Sequence, residues 1–135
     1  MPDRITPQQR SRNMARVRNK NTAPEITVRK MLHRLGYRFR LHTRDLPGTP
    51  DIVLPRHKKV IFVHGCFWHS HDCPRGKRPA TRREFWNTKL DTNVARDRQD
   101  QLQLQELGWQ VLVVWECWIK DVESLEQRLA GFMET

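Results

Sequence analysis

Residues 60–74, VIFVHGCFWHSHDCP, join a strand-like run to a loop crowded with reactive side chains. The first residues are β-branched or aromatic, which is typical of a buried strand. Two cysteines, three histidines and an adjacent pair of aromatic rings follow. We therefore expect a functional or metal-binding loop at the end of this strand.

The segments around this strand predict the rest of the architecture. YRFRLHT (37–43), DIVL (51–54) and KVIFVHG (59–65) predict three strands, the last two forming a hairpin through PRHK, and WQVLVVWE (109–116) predicts a buried strand. Three helices are predicted: one from the capping box TAPE at Thr22 to Gly36, one from about Arg82 to Leu107 with a candidate break near Asp91 and Thr92, and one over DVESLEQRLAGFM (121–133). This order indicates an α/β domain with a mixed central sheet flanked by helices.

Composition points to a polyanionic partner. The 135 residues suit a single domain, and 25 Lys and Arg against 15 Asp and Glu leave a net charge of +10. No apolar run approaches the roughly 20 residues that span a bilayer, and the N-terminus lacks the core of a signal peptide. We expect no membrane association, a cytoplasmic, nucleoid-associated protein, and nucleic acid as the partner.

The N-terminal 21 residues differ from the remainder in composition. Residues 1–21 are rich in Arg and Lys and poor in apolar residues. They read either as a basic arm that becomes helical on contact with DNA or as a solvated tail. Residues 22–135 then form one domain.

Three cysteines and a histidine have the composition of a zinc site. Cys66, His71 and Cys73 form C-x4-H-x-C, and Cys117 follows the last predicted strand. Three sulfurs and one nitrogen fill a tetrahedral Zn²⁺ shell, so the ion would be structural and would tie the loop to that strand. His64 and His69 are alternative nitrogen ligands. The competing interpretation is three unrelated buried cysteines.

A second group of candidate metal ligands includes Asp51. Hairpin pairing of about Asp51 to Leu54 with Val60 to Val63 brings the Asp51 carboxylate toward the backbone of Val63 and toward His64, an oxygen-rich set that suits Mg²⁺. Glu25 is a possible supporting carboxylate, although the capping box with Thr22 is favoured as its primary role. Taken alone, Asp51 is more typical of a turn residue than of a metal ligand.

The loop also holds a candidate proton-transfer group. His69 lies between the presumed zinc ligands, and a free imidazole titrates near neutral pH. A carboxylate such as Asp97 would orient it. An isolated loop histidine is otherwise a solvated surface group.

Aromatic side chains interleave with basic ones in the same region. Phe67, Trp68 and Trp86 are candidates for stacking on nucleobases, next to the bases Arg75, Lys77, Arg78, Arg82 and Arg83. Helical spacing favours the core for Phe85. Trp109 and Trp115 are assigned to the core or its edge.

The motifs PD (50–51), FVHGCFWHSHDC (62–73), PATRREFW (79–86), NVARDRQD (93–100) and LQELGWQVLVVWEC (104–117) resemble those of the very short patch repair endonucleases, over a span from about Ser11 to Cys117. The resemblance implies a restriction-endonuclease-like fold. It also implies an enzyme that nicks one DNA strand beside the thymine of a T:G mismatch, the product of 5-methylcytosine deamination.

The resemblance further implies a role for each matching residue. Asp51 and the backbone carbonyl of Val63 would bind catalytic Mg²⁺, with His69 as general base or acid and His64 supporting the phosphate or the metal-bound water. Structural zinc would be held by Cys66, His71, Cys73 and Cys117. Phe67, Trp68 and Trp86 would intercalate beside the mismatch, and Met14 in the arm would grip from the other groove.

The sequence departs from the family pattern at one site residue. Val63 stands where family members carry threonine, so a carbonyl ligand is retained and a hydroxyl is lost. The acid-x-lysine motif usual in the restriction fold is replaced by Phe62-Val63-His64. Activation of water then rests on another group.

The resulting hypothesis is a monomeric, Mg²⁺-dependent endonuclease acting on double-stranded DNA and followed by other mismatch-repair proteins. One alternative is a zinc-stabilised DNA-binding module without catalysis, which needs neither Asp51 nor His69. A weaker alternative is a zinc hydrolase of small substrates, for which the charge of +10 has no role.

Overall fold

The computed structural model describes residues 21–135, so the predicted basic arm up to Lys20, with Met14, lies outside the described residues. The elements are α1 (Ala23–Arg34), β1 (Arg40–Leu41), β2 (Ile52–Leu54), β3 (Lys59–His64), α2 (Arg83–Glu106), β4 (Gln110–Trp115) and α3 (Val122–Glu134). Short 3₁₀ helices span Pro55–His57, Pro74–Gly76 and Glu116–Lys120. Among the described helices, none is long and apolar enough to cross a membrane.

The four strands form one mixed sheet in the order β1-β2-β3-β4. β1, β2 and β3 are antiparallel neighbours, and β4 runs parallel to β3, which confirms the predicted mixed α/β fold. Ile52 pairs with Ile61 in the hairpin, which places Asp51 one position before the ladder and one residue out of the register expected from sequence. Lys58 closes the hairpin turn with a left-handed φ of 55°.

Side chains alternate between the two faces of the sheet along each strand, and both faces carry apolar residues that helices cover. Ile52, Leu54 and Ile61 pack into the larger core with residues of α1 and α3. Val53, Val60 and Phe62 face the opposite side and pack with Leu104 of α2. Because β3 and β4 are parallel, their C-terminal ends lie side by side at one end of the sheet, where His64 pairs with Trp115.

Three predicted elements differ from the structure. β1 is two exposed residues rather than the whole of YRFRLHT. The helix α2 continues without a break through Asp91 and Thr92, and the Thr92 hydroxyl donates to the Thr88 carbonyl at 2.8 Å, so it does not compete for a backbone group outside the helix. In β4 only Val114 is fully buried, whereas Gln110 is exposed and the other positions are partly exposed.

Candidate active site and metal centre

A cleft of about 400 Å³ opens at the end of β3. The residues lining it include Asp51, Val63, His64, His69 and Asp97, so five of the residues proposed from sequence meet there. The hairpin, the loop after β3 and α2 each supply part of the wall.

Asp51 is fixed at the base of this cleft. Its Oδ2 accepts a hydrogen bond from the Val63 N–H at 2.7 Å, and its backbone carbonyl accepts one from the His42 N–H at 3.1 Å. Burial raises the pKa of Asp51 above its ordinary value, and the Val63 hydrogen bond offsets only part of that rise. A cation beside the carboxylate would remove this penalty, so the site fits a hard divalent metal.

Glu25 lies beside Asp51, but its side chain has different partners from those expected. The Thr22 hydroxyl accepts from the Glu25 backbone N–H at 3.4 Å, which is the backbone half of the capping box. The carboxylate, 2% exposed, instead contacts the Arg29 guanidinium and lies 2.9 Å from His42 Nε2. Capping is therefore not the main role of this side chain. Ligand atoms of Glu25, His42 and Asp51 lie within 4.8 Å of one another.

His69 and Asp97 form a close pair above Asp51. His69 Nδ1 lies 2.5 Å from Asp97 Oδ2, which confirms the predicted contact and leaves Nε2 as the other reactive atom of the ring. The His64 ring stacks on the His69 ring with centroids 3.8 Å apart and planes at 6°. Burial lowers the pKa of His64 to about 3, with the neighbouring His69 adding to the shift, so His64 is neutral near pH 7.

The lowered pKa of His64 predicts an acid-sensitive contribution to stability. Below pH 6.5 the unfolded chain binds a proton that the folded chain excludes, so the free energy of unfolding falls as pH falls toward 3. His64→Phe keeps a ring on His69 and removes the titration. Between pH 6.5 and 4.5 the wild type should lose about 2 kcal/mol more than the variant, measured by urea unfolding. Parallel stability curves for the two proteins would contradict this.

The four predicted zinc ligands converge at the edge where β3 and β4 end. Ligand atoms of Cys66, His71, Cys73 and Cys117 all lie within 4.8 Å of one another, with Cys117 Sγ 3.4 Å from His71 Nδ1. Cys66 is fully buried, and burial raises the pKa of its thiol to about 12. A thiolate at this position requires a compensating cation, and three sulfurs with one nitrogen are a donor set that fits Zn²⁺.

The structure also divides the histidines. His71 joins the cysteines and stacks on the Trp115 ring with centroids 4.1 Å apart. His64 and His69, the alternative nitrogen ligands, group instead with Asp97. Glu116 supports the cluster by accepting the Cys66 N–H at 3.1 Å.

The aromatic residues of the loop form a ridge with the start of α2. Phe67 contacts Trp68 and Trp86 with ring centroids 5.1 and 5.4 Å apart, and none of the three is fully buried. Phe85 extends the ridge at 5.2 Å from Trp86 and is 46% exposed, so its expected place in the core is wrong. Trp109 packs at the edge of the smaller core, as predicted.

Known proteins resemble this chain over most of its length. The sequence model of the family described as DNA mismatch endonuclease Vsr matches residues 2–75, more than half of the chain. The chain belongs to the Vsr family. It is 50% identical over 134 residues to the type II nicking enzyme V.XorIIP of Xanthomonas oryzae, covering 99% of this chain and 98% of the relative. It is 49% identical over 116 residues to the DNA mismatch endonuclease Vsr of Escherichia coli, covering 86% and 74%.

A solved structure supports the fold of this Vsr-family chain. The catalytic domain of the homing endonuclease I-Bth0305I superposes with a TM-score of 0.59 at 21% identity, covering 83% of this chain and 94% of that domain. The likeness shows that this chain shares the fold of that catalytic domain. Membership in a family of DNA endonucleases favours a nuclease over the non-catalytic DNA-binding module.

Sequence reasoning missed several residues at this Vsr-family site. His42, which links Asp51 to Glu25, falls in a segment predicted as a strand, whereas its φ is 47°. Asn93 donates to the Trp68 carbonyl at 3.2 Å. Arg78, expected only as one of the bases beside the aromatic rings, instead contacts Ser70, Asn87 and Asp91. Neither side chain has a local pattern that marks it, although Asn93 lies four residues before Asp97 on the same helix face.

Proposed function

We propose that this Vsr-family endonuclease nicks one strand of duplex DNA beside the thymine of a T:G mismatch, using Mg²⁺, and so initiates very short patch repair of deaminated 5-methylcytosine. The observation that carries the proposal is the loop after β3. It presents His69 to the cleft containing Asp51 and, one residue earlier, Trp68 to the aromatic ridge. Chemistry and base recognition are thereby joined on one segment.

The buried carboxylate of Asp51 is the proposed anchor for the metal. Asp51, with the carbonyl of Val63, would hold Mg²⁺, and Glu25 would support it through water. When bound, the ion supplies positive charge for the phosphate oxygens and an acidified water. The acid-x-lysine motif usual in the restriction fold is replaced by Phe62-Val63-His64, so proton transfer is assigned to a histidine rather than to a lysine.

His69 is the proposed general base or acid. Asp97 holds Nδ1 of the ring, which fixes the tautomer and leaves Nε2 to exchange a proton with water or with the leaving oxygen. His64, neutral and stacked on His69, would keep the ring in place and would support the phosphate.

Asp97→Asn should reduce the nicking rate by about 100-fold, because an amide neither stabilises the imidazolium nor fixes the same tautomer. Single-turnover nicking of a T:G duplex across pH 5.5 to 9 measures the effect. Glu106→Gln is the matched control, because it removes the same charge from an exposed position of the same helix. Equal rates for the two variants would exclude Asp97 as the group that orients His69.

The ridge of Phe67, Trp68 and Trp86 would insert beside the mismatch, because a mismatched step costs less to unstack than a paired one. Lys77 and Arg83, both exposed beside the ridge, would hold phosphates. We also propose that Met14 and the basic arm grip the other groove and that one chain acts alone.

A panel of duplexes tests the proposed function. Labelled T:G, T:A, C:G and C:A duplexes with identical flanks are incubated with the protein and Mg²⁺, and each strand is analysed for nicks. We expect nicking of the thymine strand of T:G alone. Equal cleavage of C:G would contradict mismatch specificity, and tight binding without any nick would favour the DNA-binding module.

A further inference from the structure

The loop of residues 65–82 meets one face of α2 at successive turns. Trp86 contacts Phe67, Asn93 Nδ2 donates to the Trp68 carbonyl at 3.2 Å, and Asp97 contacts His69 at 2.5 Å. Positions 86, 93 and 97 share a helix face by their spacing. The helix therefore sets the position of both the aromatic ridge and His69.

Arg78, near the C-terminal end of the same loop, holds the loop against α2. Its Nη1 donates to Asn87 Oδ1 at 3.0 Å, and its Nη2 donates to Ser70 Oγ at 3.1 Å and to Asp91 Oδ1 at 2.7 Å. Asn87 and Asp91 belong to α2, whereas Ser70 belongs to the loop. One guanidinium thus joins the start of the loop, the end of the loop and the helix.

Ser70 is a position at which such a contact matters. It lies between His69 and His71 and has a φ of 55°, a left-handed conformation that a non-glycine residue adopts at a cost. A hydrogen bond to its hydroxyl helps to hold the backbone that separates the proton-transfer histidine from the histidine of the cysteine cluster.

We propose that Arg78 is a positioning residue that clasps this loop onto α2 and so holds His69 and the aromatic ridge in register while the duplex is opened. The proposal rests on the proposed function. The cysteine cluster ties the loop to the end of β4, so Arg78 supplies an independent tether on the side of α2. Inserting an aromatic wedge pushes on the loop, and the tether keeps that force from displacing His69.

The guanidinium of Arg78 is paired with side chains of this chain. Asp91 pairs with it at 2.7 Å, whereas Lys77, the preceding residue, is exposed and suited to a phosphate. Three acceptors in a fork match the planar guanidinium but not an ammonium group. The role therefore requires arginine and not positive charge alone.

The test compares Arg78→Gln and Arg78→Lys with the matched control Lys77→Gln. Duplex affinity, the single-turnover nicking rate at saturation, its pH profile and amide hydrogen exchange over residues 65–82 are measured for each. We expect both Arg78 variants to nick about 10-fold or more slowly, with a changed pH profile and faster exchange around Ser70, because small displacements of reacting groups are costly. Their affinity should fall no more than that of Lys77→Gln.

The clasp is excluded if Arg78→Gln retains the wild-type nicking rate and hydrogen exchange, or if Arg78→Lys retains the wild-type values. If Arg78→Gln does not fold, Asp91→Asn removes the charged acceptor from an exposed position and serves instead. A wild-type protein that nicks no T:G duplex refutes the proposed function, whereas the exchange comparison still decides whether Arg78 holds the loop.

Discussion

Asp51→Asn is expected to reduce the nicking rate by more than about a thousandfold while leaving duplex affinity nearly unchanged. The substitution keeps the size of the side chain and an oxygen that can accept the Val63 N–H, so the backbone geometry should persist. A neutral amide is a poor ligand for Mg²⁺. The loss should therefore appear in the chemical step rather than in DNA binding.

The stability of the same variant gives a second readout that does not depend on activity. Because burial raises the pKa of Asp51, the ionised carboxylate destabilises the folded state at neutral pH when no cation is present. Without metal, Asp51→Asn should thus unfold at the same temperature as the wild type or higher. Added Mg²⁺ should raise the melting temperature of the wild type but not that of the variant.

Asp45→Asn is the matched control, because Asp45 is exposed in the segment that leads to β2 and loses the same charge. Its nicking rate and its response to Mg²⁺ should equal those of the wild type. An Asp51→Asn variant that nicks at a comparable rate, or that gains stability from Mg²⁺ as the wild type does, would remove Asp51 from the metal site.

The parts of the site that could be predicted are those encoded by residues close to one another in the sequence. An apolar β-branched run, a Pro-Asp at a strand start and C-x4-H-x-C each carry their own physical signal. The hairpin then brings Asp51 to Val63 with little freedom, since strand pairing fixes which residues are opposite. An error of one residue in register left the neighbourhood of Asp51 unchanged because its carboxylate still reaches the Val63 backbone.

The parts that could not be predicted depend on contacts between distant segments. The sequence around Glu25 predicts a capping box, but the Glu25 carboxylate contacts His42, 17 residues away. Phe85 has helical spacing, yet its side of α2 faces solvent and Arg82 lies over its ring at 4.3 Å. The three histidines 64, 69 and 71 have similar sequence settings, and only the fold separates one for the cysteine cluster from two for the cleft.

Removing zinc should lower the melting temperature of this protein by more than about 10 °C, since structural zinc sites contribute several kcal/mol and 1 kcal/mol shifts the melting temperature by a few degrees at this size. The physical reason is the fully buried Cys66, whose thiol has a pKa raised by burial and whose thiolate requires a cation. Elemental analysis should find one zinc per chain, and calorimetry before and after chelation measures the shift.

A structural zinc ion and a catalytic zinc ion predict different effects on stability and on activity when zinc is removed. If zinc holds the loop, Cys117→Ser should lose both zinc and stability, and the exposed Asp72→Asn in the same loop should lose neither. Zinc then restores nicking to the chelated protein only together with Mg²⁺, because the cysteine cluster offers four protein ligands and no position for substrate. A chelated protein with an unchanged melting temperature that regains activity on zinc alone would reverse the assignment, making zinc the catalytic metal and a zinc hydrolase the better interpretation.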